Sequence, residues 1–403
     1  MDKPVLIIGA GVCGLTLAQA LQRSGIPFEV FERDEHVSSR GQGWAITLHW
    51  ALPYLKKMFS EQTMTDIDSV QVDPDADRDG QGKFVFINLK TLEPRFRIPP
   101  SQRRRVSREK LRRVLLHGVS HKVNWNKSLS SISQTPDGVV ATFEDGSQFE
   151  GSIVVGADGT NSKTRKILVP DNHKNIRLPV KFVGSAVKMT SSQVQPLRAV
   201  DPLLFQGCHP ETKDFLWVSM LDTPGVNGTK DTEEELYQVQ INLSWLTHPG
   251  DDDTKLSDAA RLADMKRRAQ RFHPVLRDAV QSIPEESQVL EIVLQDWPCY
   301  DWNNRGGRVT LIGDAAHAMT MYRGEAANHG MLDACRLWET LEGVYSREVD
   351  LRKEIDGFEA EMRERTQAAV LLSRQACYDA HDWAGLNENS AVLKKRAIYE
   401  ART

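Results

Sequence analysis

The spacing of apolar residues changes along the chain, and each change predicts a different kind of element. Val5-Leu6-Ile7-Ile8 is a continuous apolar run, as in a strand buried on both faces. It leads through Gly9-Ala10-Gly11-Val12-Cys13-Gly14 into LTLAQALQRSG, where Leu15, Ala18 and Leu21 share one helical face and Gly25 is a C-terminal stop. A second strand, PFEVFERD, ends at Glu32. Val139 to Phe143 and Ser147 to Phe149 flank Asp145-Gly146, a two-residue hairpin turn. Ile153-Val154-Val155 and the start of RVTLIGDAAHAM are further short buried strands. Between Val180 and Trp297 the pattern turns to alternation. YQVQINLSW sets Tyr237, Val239, Ile241, Leu243 and Trp245 against Gln238, Gln240, Asn242 and Ser244, which predicts a half-buried antiparallel strand. VKFVGSAVKM, LLFQGC and DFLWVSML read as its partners, and SDAARLADMKRRAQRF as an amphipathic helix inserted among them. RKEIDGFEAEMRERTQAAVLLSRQACYDAHDW reads as helices. The class is therefore α/β, with an inserted, mostly antiparallel sheet region between Val180 and Trp297 and helices toward the C-terminal end.

Three loops carry candidate chemistry. In the Rossmann-like opening, Gly9 permits the turn, Gly11 lets a pyrophosphate approach the backbone, and Gly14 lets helix and strand pack. The phosphates then face the helix N-terminus, and Glu32 stands at the distance where an acid meets the adenosine ribose. An adenine dinucleotide is implied, without separating NAD from FAD. The second loop is Gly156-Ala157-Asp158-Gly159, followed by Ser162 and Arg165; the third is Gly313-Asp314 and the small residues after it. Both come after strands whose carboxyl ends are where open α/β sheets bind ligands.

Bulk properties narrow the partners. A formal net charge of −4 makes the chain a poor non-specific nucleic-acid binder, and no apolar run suffices to span a bilayer. A strand starting at Pro4 leaves no room for a secretory signal, and the five scattered cysteines form no CxxC pair. A cytoplasmic enzyme with reduced thiols and no metal is expected. No Ser/His/Asp set suggests a hydrolase.

The order and spacing of the three motifs, GxGxxG at 9–14, DG at 156–165 and GD at 311–317, resemble the class A, single-component FAD-dependent aromatic hydroxylases of the para-hydroxybenzoate hydroxylase type, including fungal secondary-metabolism members. The resemblance implies a glutathione-reductase-type FAD domain, discontinuous over 1–79, 100–178 and 298–350, a substrate-binding β-sheet domain over 80–99 and 179–297, and C-terminal helices (351–403) packing on the FAD domain. Glu32, with Arg33 beside it, would bind the ribose, Asp158 would serve the pyrophosphate and NAD(P)H region, and Asp314 would hold the ribityl chain. Arg40, Gly43 and Ala45 match the loop skirting the flavin, and Arg108 the helix arginine touching FAD. Gly324, Ala327 and Asn328 complete the implied cofactor set. Arg103, Arg104, Arg112 and Arg113 read as a solvated basic face, with Arg105 open.

The implied reaction is reduction of FAD by NADPH or NADH, addition of O₂ at flavin C4a, and transfer of one oxygen to a small, electron-rich, aromatic or apolar substrate. Hydroxylation and epoxidation both fit, in a monomer or homodimer. An oxidase or dehydrogenase on the same fold, or a silent flavin-binding protein, would keep the three motifs. Trp217, Phe205, Tyr237 and Trp245 are candidates for an aromatic pocket, and Lys188 stands where some relatives carry a functional arginine. After the GD motif the family runs through prolines to a glycine pair, whereas here Ala318 and Met321 replace prolines and Ala326 replaces a glycine. That predicts a freer backbone beside the flavin, a different or strained turn, and Tyr322 in the pocket wall offering its hydroxyl. Tyr322, Lys188 and Trp217 are the catalytic candidates.

Overall fold

The computed structural model describes residues 3–39, 43–76, 84–98, 102–248, 256–347 and 349–394; Arg40, placed beside the flavin by its sequence position, lies outside them. Five parallel strands form one sheet in the order Val309–Leu311, Ile153–Gly156, Val5–Ile8, Phe28–Phe31 and Val123–Asn124. Its central strands are buried on both faces, as their unbroken apolar runs require. The helix Val12–Arg23 packs against the long helix Ala326–Arg347, so the segments around the first and third motifs share one core. An antiparallel meander, Leu129–Thr135, Gly138–Phe143 and Gln148–Gly151, comes after the fifth strand, and Gly146 takes a positive φ at its Asp145-Gly146 turn.

Seven strands form the large sheet, in the order Leu290–Glu291, Val180–Thr190, Leu236–Leu246, Phe215–Asp222, Leu204–Cys208, Phe84–Asn88 and Pro94–Ile98. All pairings are antiparallel except Leu204–Cys208 with Phe84–Asn88. One face is apolar: Leu216, Val218, Ile241 and Leu243 pack beneath the helices Ser191–Arg198, Asp258–Ala269 and Pro274–Gln281. The alternation in YQVQINLSW predicts water over the opposite face. The structure differs, because Asn242 is 3% exposed and Ser244 is 0% exposed. Alternation separates two faces of a strand without saying what covers either of them.

The cover is supplied by the C-terminal helix Leu351–Asp379 and the segment after it. The first half of that helix, through Ile355, Phe358 and Met362, joins the core of the parallel sheet. Its last turns and the segment beyond, through Cys377, Ala380 and Leu393, join Phe86, Phe182, Phe215 and Tyr322 on the large sheet's second face. A short antiparallel pair, Ala45–Leu48 with Arg104–Ser107, lies between the two sheets. Among the described residues no helix is long and apolar enough to cross a membrane.

Candidate functional site

Three loops gather at the carboxyl ends of the parallel strands. In the glycine turn, Gly9 has φ +112° and an added Cβ would lie 2.4 Å from the Ala157 carbonyl oxygen. A Cβ at Gly14 would lie 2.1 Å from the Gly9 oxygen, so these two positions are tight because strand and helix touch there. Gly11 is different: a Cβ there meets nothing within 4 Å, and no side chain caps the helix after it. Open space before uncapped N–H groups suits a pyrophosphate.

Glu32 is buried, accepting the Ala10 N–H at 2.9 Å and the Asp34 N–H at 3.2 Å. A carboxylate has about four acceptor positions, which leaves capacity for a ribose hydroxyl. Arg33 is exposed beside it. Arg112 donates to the carbonyls of Ala10 at 2.7 Å and Val37 at 3.2 Å and lies 3.5 Å from Glu32. The reading of Arg112 and Arg103 as solvated is thus overturned, since both are buried. Arg112 is drawn inward because carbonyls far away in sequence need a donor.

The second and third loops are joined directly. Asp158 accepts from Ser162 Oγ at 2.5 Å and from the Thr164 N–H at 3.0 Å, fixing its own turn. Thr160 Oγ1 donates to Asp314 Oδ2 at 3.2 Å. Arg165 donates to the carbonyls of Asp314 and Ala315 while stacking on Trp297 at 4.8 Å. Burial pushes the partly buried Asp314 carboxyl above its ordinary pKa, opposed by His317, Thr160, Arg108 and Arg165. Arg108 also lies against Gly43, where a Cβ would sit 3.8 Å from its side chain.

Behind Asp314 the charge is fully organised. Asp333 accepts from the Gly313 N–H at 2.8 Å, pairs with His317 Nε2 at 2.5 Å and receives Arg365 Nη2 at 2.8 Å. Burial opposes its ionisation, yet His317 and Arg365 hold the Asp333 carboxyl well below the ordinary range. The Cys13 sulfur fills the space between Gly313 and Gly330, where a Cβ would approach it to 2.7 and 2.2 Å. The dinucleotide helix and the GD turn therefore pack as one piece.

The loop after the GD motif departs from expectation. Gly324 carries the positive φ, +65°, while Ala326 opens the long helix, so the alanine strains nothing. Ala327 stands partly buried in that helix's first turn, and Gly324 is exposed. The missing prolines do not free the backbone, because side chains pin it. Thr320 donates to the Ser373 carbonyl at 2.7 Å, and Arg323 pairs with Glu325 at 2.7 Å and reaches the Ala391 carbonyl. Asn328 uses both ends of its amide within the protein, donating to Thr47 O at 2.9 Å and accepting the His49 N–H at 3.0 Å. It thereby fixes the backbone leaving the strand that begins at Ala45.

The catalytic candidates do not converge. Tyr322 is fully buried among Phe182, Phe215 and His381, and its hydroxyl lies 2.9 Å from Ser244 Oγ. Burial raises its pKa well above the ordinary value. It is a core residue and not a pocket wall, which corrects the expectation. Lys188 is exposed near the end of its strand, opposite Gln238. Trp217 is half-buried on the large sheet's second face, whereas Phe205, Tyr237 and Trp245 belong to the first, so the four aromatics form no common pocket. Arg105, left open by sequence, is 3% exposed and donates to Thr47 Oγ1 at 2.7 Å and Ser219 Oγ at 2.6 Å. It ties the large sheet's second face to the strand Ala45–Leu48. Among the described residues no cluster of His, Cys, Asp or Glu could hold a metal.

Known proteins agree with this geometry. The family profile described as FAD binding domain matches residues 2–373. The chain is 48% identical over 339 residues to the FAD-dependent monooxygenase dbaB of Emericella nidulans, covering 83% of this chain and 85% of that one. It is 31% identical to the FAD-dependent monooxygenase cctM of Talaromyces islandicus, covering 98% of each. In fold it is similar to the 2,6-dihydroxypyridine-3-hydroxylase of Arthrobacter nicotinovorans, with a TM-score of 0.78 at 19% identity, covering 100% of this chain and 99% of that one. The glycine turn with its open Gly11, the paired DG and GD loops and these relatives lead to one conclusion: the chain belongs to the family described as FAD binding domain and is an FAD-dependent monooxygenase.

Proposed function

We propose that this enzyme uses NADPH or NADH and O₂ to place one oxygen atom on a small, electron-rich aromatic substrate held against the second face of the large sheet. The observation that carries the reading is a convergence: Gly11, Thr160 and Asp314 share one end of the parallel sheet, and Arg105 joins the large sheet's polar face to Thr47, whose carbonyl accepts from Asn328 in the helix after the GD loop. Gly9, Gly11, Gly14, Glu32 and Arg33 would hold the adenosine and pyrophosphate. Gly43, Ala45, Arg108, Asp158 and Asp314 would hold the ribityl and ring end, with Gly324, Ala327 and Asn328 setting the neighbouring backbone. Bound FAD supplies the redox chemistry, accepting a hydride and activating O₂. The chain's own residues bind, orient and exclude water. Residues 1–79, 100–178 and 298–350 serve the cofactor, and 80–99 with 179–297 serve the substrate.

The test is anaerobic reduction by NADPH, followed as loss of oxidised-flavin absorbance, with and without a panel of phenols and fused-ring aromatics. Reduction accelerated by one class, followed in ¹⁸O₂ by labelled product, is the expected result. Equal reduction rates with every aromatic, and no label in any product, would sink the proposal.

A further inference from the structure

The second face of the large sheet carries polar side chains in successive rows, roughly 7 Å apart along the strands. In one row Ser244 is engaged by the Tyr322 hydroxyl and by His381 Nε2, each at 2.9 Å. Two rows further along, on the neighbouring strand, Ser219 is engaged by Arg105 at 2.6 Å. The row between them runs in register across six strands: Phe96, Phe86, Gln206, Trp217, Asn242 and Gly184. Gln206 and Asn242 are each 3% exposed, yet Gln206 Oε1, Trp217 Nε1 and Asn242 Oδ1 have no hydrogen-bond partner among the described residues. Gly184 is part of the arrangement, because a Cβ there would lie 1.8 Å from Asn242 Oδ1.

A buried polar atom left unpaired costs stability, and apolar residues would serve a purely structural row better. Three unpaired groups side by side, between rows whose serines are engaged, mark a place where partners come from outside the fold. Gln206 and Asn242 stand two strands apart, roughly 10 Å at the backbone. A single substituent cannot reach both. A flat ring system with hydroxyl groups at opposite edges can, and an acceptor between them would meet the indole N–H. At the Phe96 end of the row lies a cavity of about 400 Å³ lined by Arg95, Phe96, Leu386, Asn387, Glu388 and Leu393.

Resting on the monooxygenase reading above, we propose that Gln206, Trp217 and Asn242 are the specificity-determining residues, and that they select planar, polyhydroxylated aromatic substrates over singly substituted or apolar ones. The hydroxyls donate to the two amide oxygens, and Trp217 Nε1 donates to a ring carbonyl or hydroxyl oxygen.

The experiment compares wild type with Gln206→Leu, Trp217→Phe and Asn242→Leu, all as FAD-loaded enzymes. Each is titrated with resorcinol, acylated resorcinol, dihydroxynaphthalene and unsubstituted naphthalene, read by perturbation of the flavin spectrum. Each variant is expected to keep its FAD and to melt at the same temperature or higher, since an unpaired polar group has gone. Its Kd for the dihydroxylated rings should rise roughly tenfold while that for naphthalene stays the same. Variants that melt lower and bind the dihydroxylated rings as wild type does would overturn the proposal and show a structural row. A wild type preferring naphthalene would overturn it too, leaving the monooxygenase reading intact. A wild-type flavin that answers to no aromatic would overturn both.

Discussion

Single residues here divide by what their polar atoms meet. Asp314 stands partly buried at the end of the strand Val309–Leu311, accepting a hydrogen bond from Thr160. A ribityl hydroxyl donating to that carboxylate is charge-assisted, a class worth about 1.5–3 kcal/mol. Asp314→Ala should therefore bind FAD roughly 10- to 100-fold more weakly and purify with a low flavin-to-protein absorbance ratio. Full flavin occupancy would remove Asp314 from the cofactor site. Tyr322 makes the opposite case, because its hydroxyl is already spent on Ser244 within the core. Tyr322→Phe should cost about 1 kcal/mol of stability, seen in denaturant melts, and leave kcat within about twofold. A collapse of turnover without a change in melting would return Tyr322 to the chemistry. Both residues come after the same strand and differ in nothing a linear pattern can display. The acid's place at a strand end was legible from the apolar run before it, whereas the burial of Tyr322 depends on Phe182, Phe215 and His381, which are distant in sequence.

At the scale of elements, the loop after the GD motif shows how a sequence can lose proline without losing rigidity. Its shape rests on Gly324 at φ +65° and on side chains anchored to the C-terminal helix and the segment beyond it. Gly324→Ala places a Cβ in open space, so steric contact costs nothing and the left-handed backbone alone costs about 1–2 kcal/mol. Ala326→Gly, at the start of the long helix, should cost about 1 kcal/mol or less. Chemical denaturation of both variants checks the order, and a larger loss from Ala326→Gly would show that the turn's shape depends on the alanine instead. Local elements were read well from residues: the helix read in SDAARLADMKRRAQRF forms over Asp258–Ala269, and the Asp145-Gly146 turn joins its two strands. Arg112 and Asn242 were not. A basic helix and an alternating strand each have a polar face, and only the tertiary partner decides whether that face is solvated, paired or held for a ligand.

For the whole molecule, the C-terminal helix ties the two sheets together, and one of its holds on the parallel sheet is a buried acid. Glu359, 2% exposed, accepts from Thr310 Oγ1 at 2.8 Å, Trp302 Nε1 at 2.9 Å and Asn304 Nδ2 at 3.1 Å. Burial outweighs these donors and lifts its carboxyl from an ordinary value of 4.5 to about 7. The folded chain then binds a proton between these values that the unfolded chain has released. Stability from this group is fully present below about pH 4.5, declines as pH rises, and is gone above about pH 7. The fall is on the order of 3 kcal/mol, because each tenfold change in proton affinity is worth about 1.4 kcal/mol. Glu359→Gln cannot release that proton. The difference in unfolding free energy, wild type minus variant, should therefore fall steadily between pH 5 and pH 7 and level off above, in denaturant melts at fixed ionic strength. A difference flat across that range would mean the three donors keep the carboxylate charged throughout, and that the helix is held by an ion and not by a neutral acid.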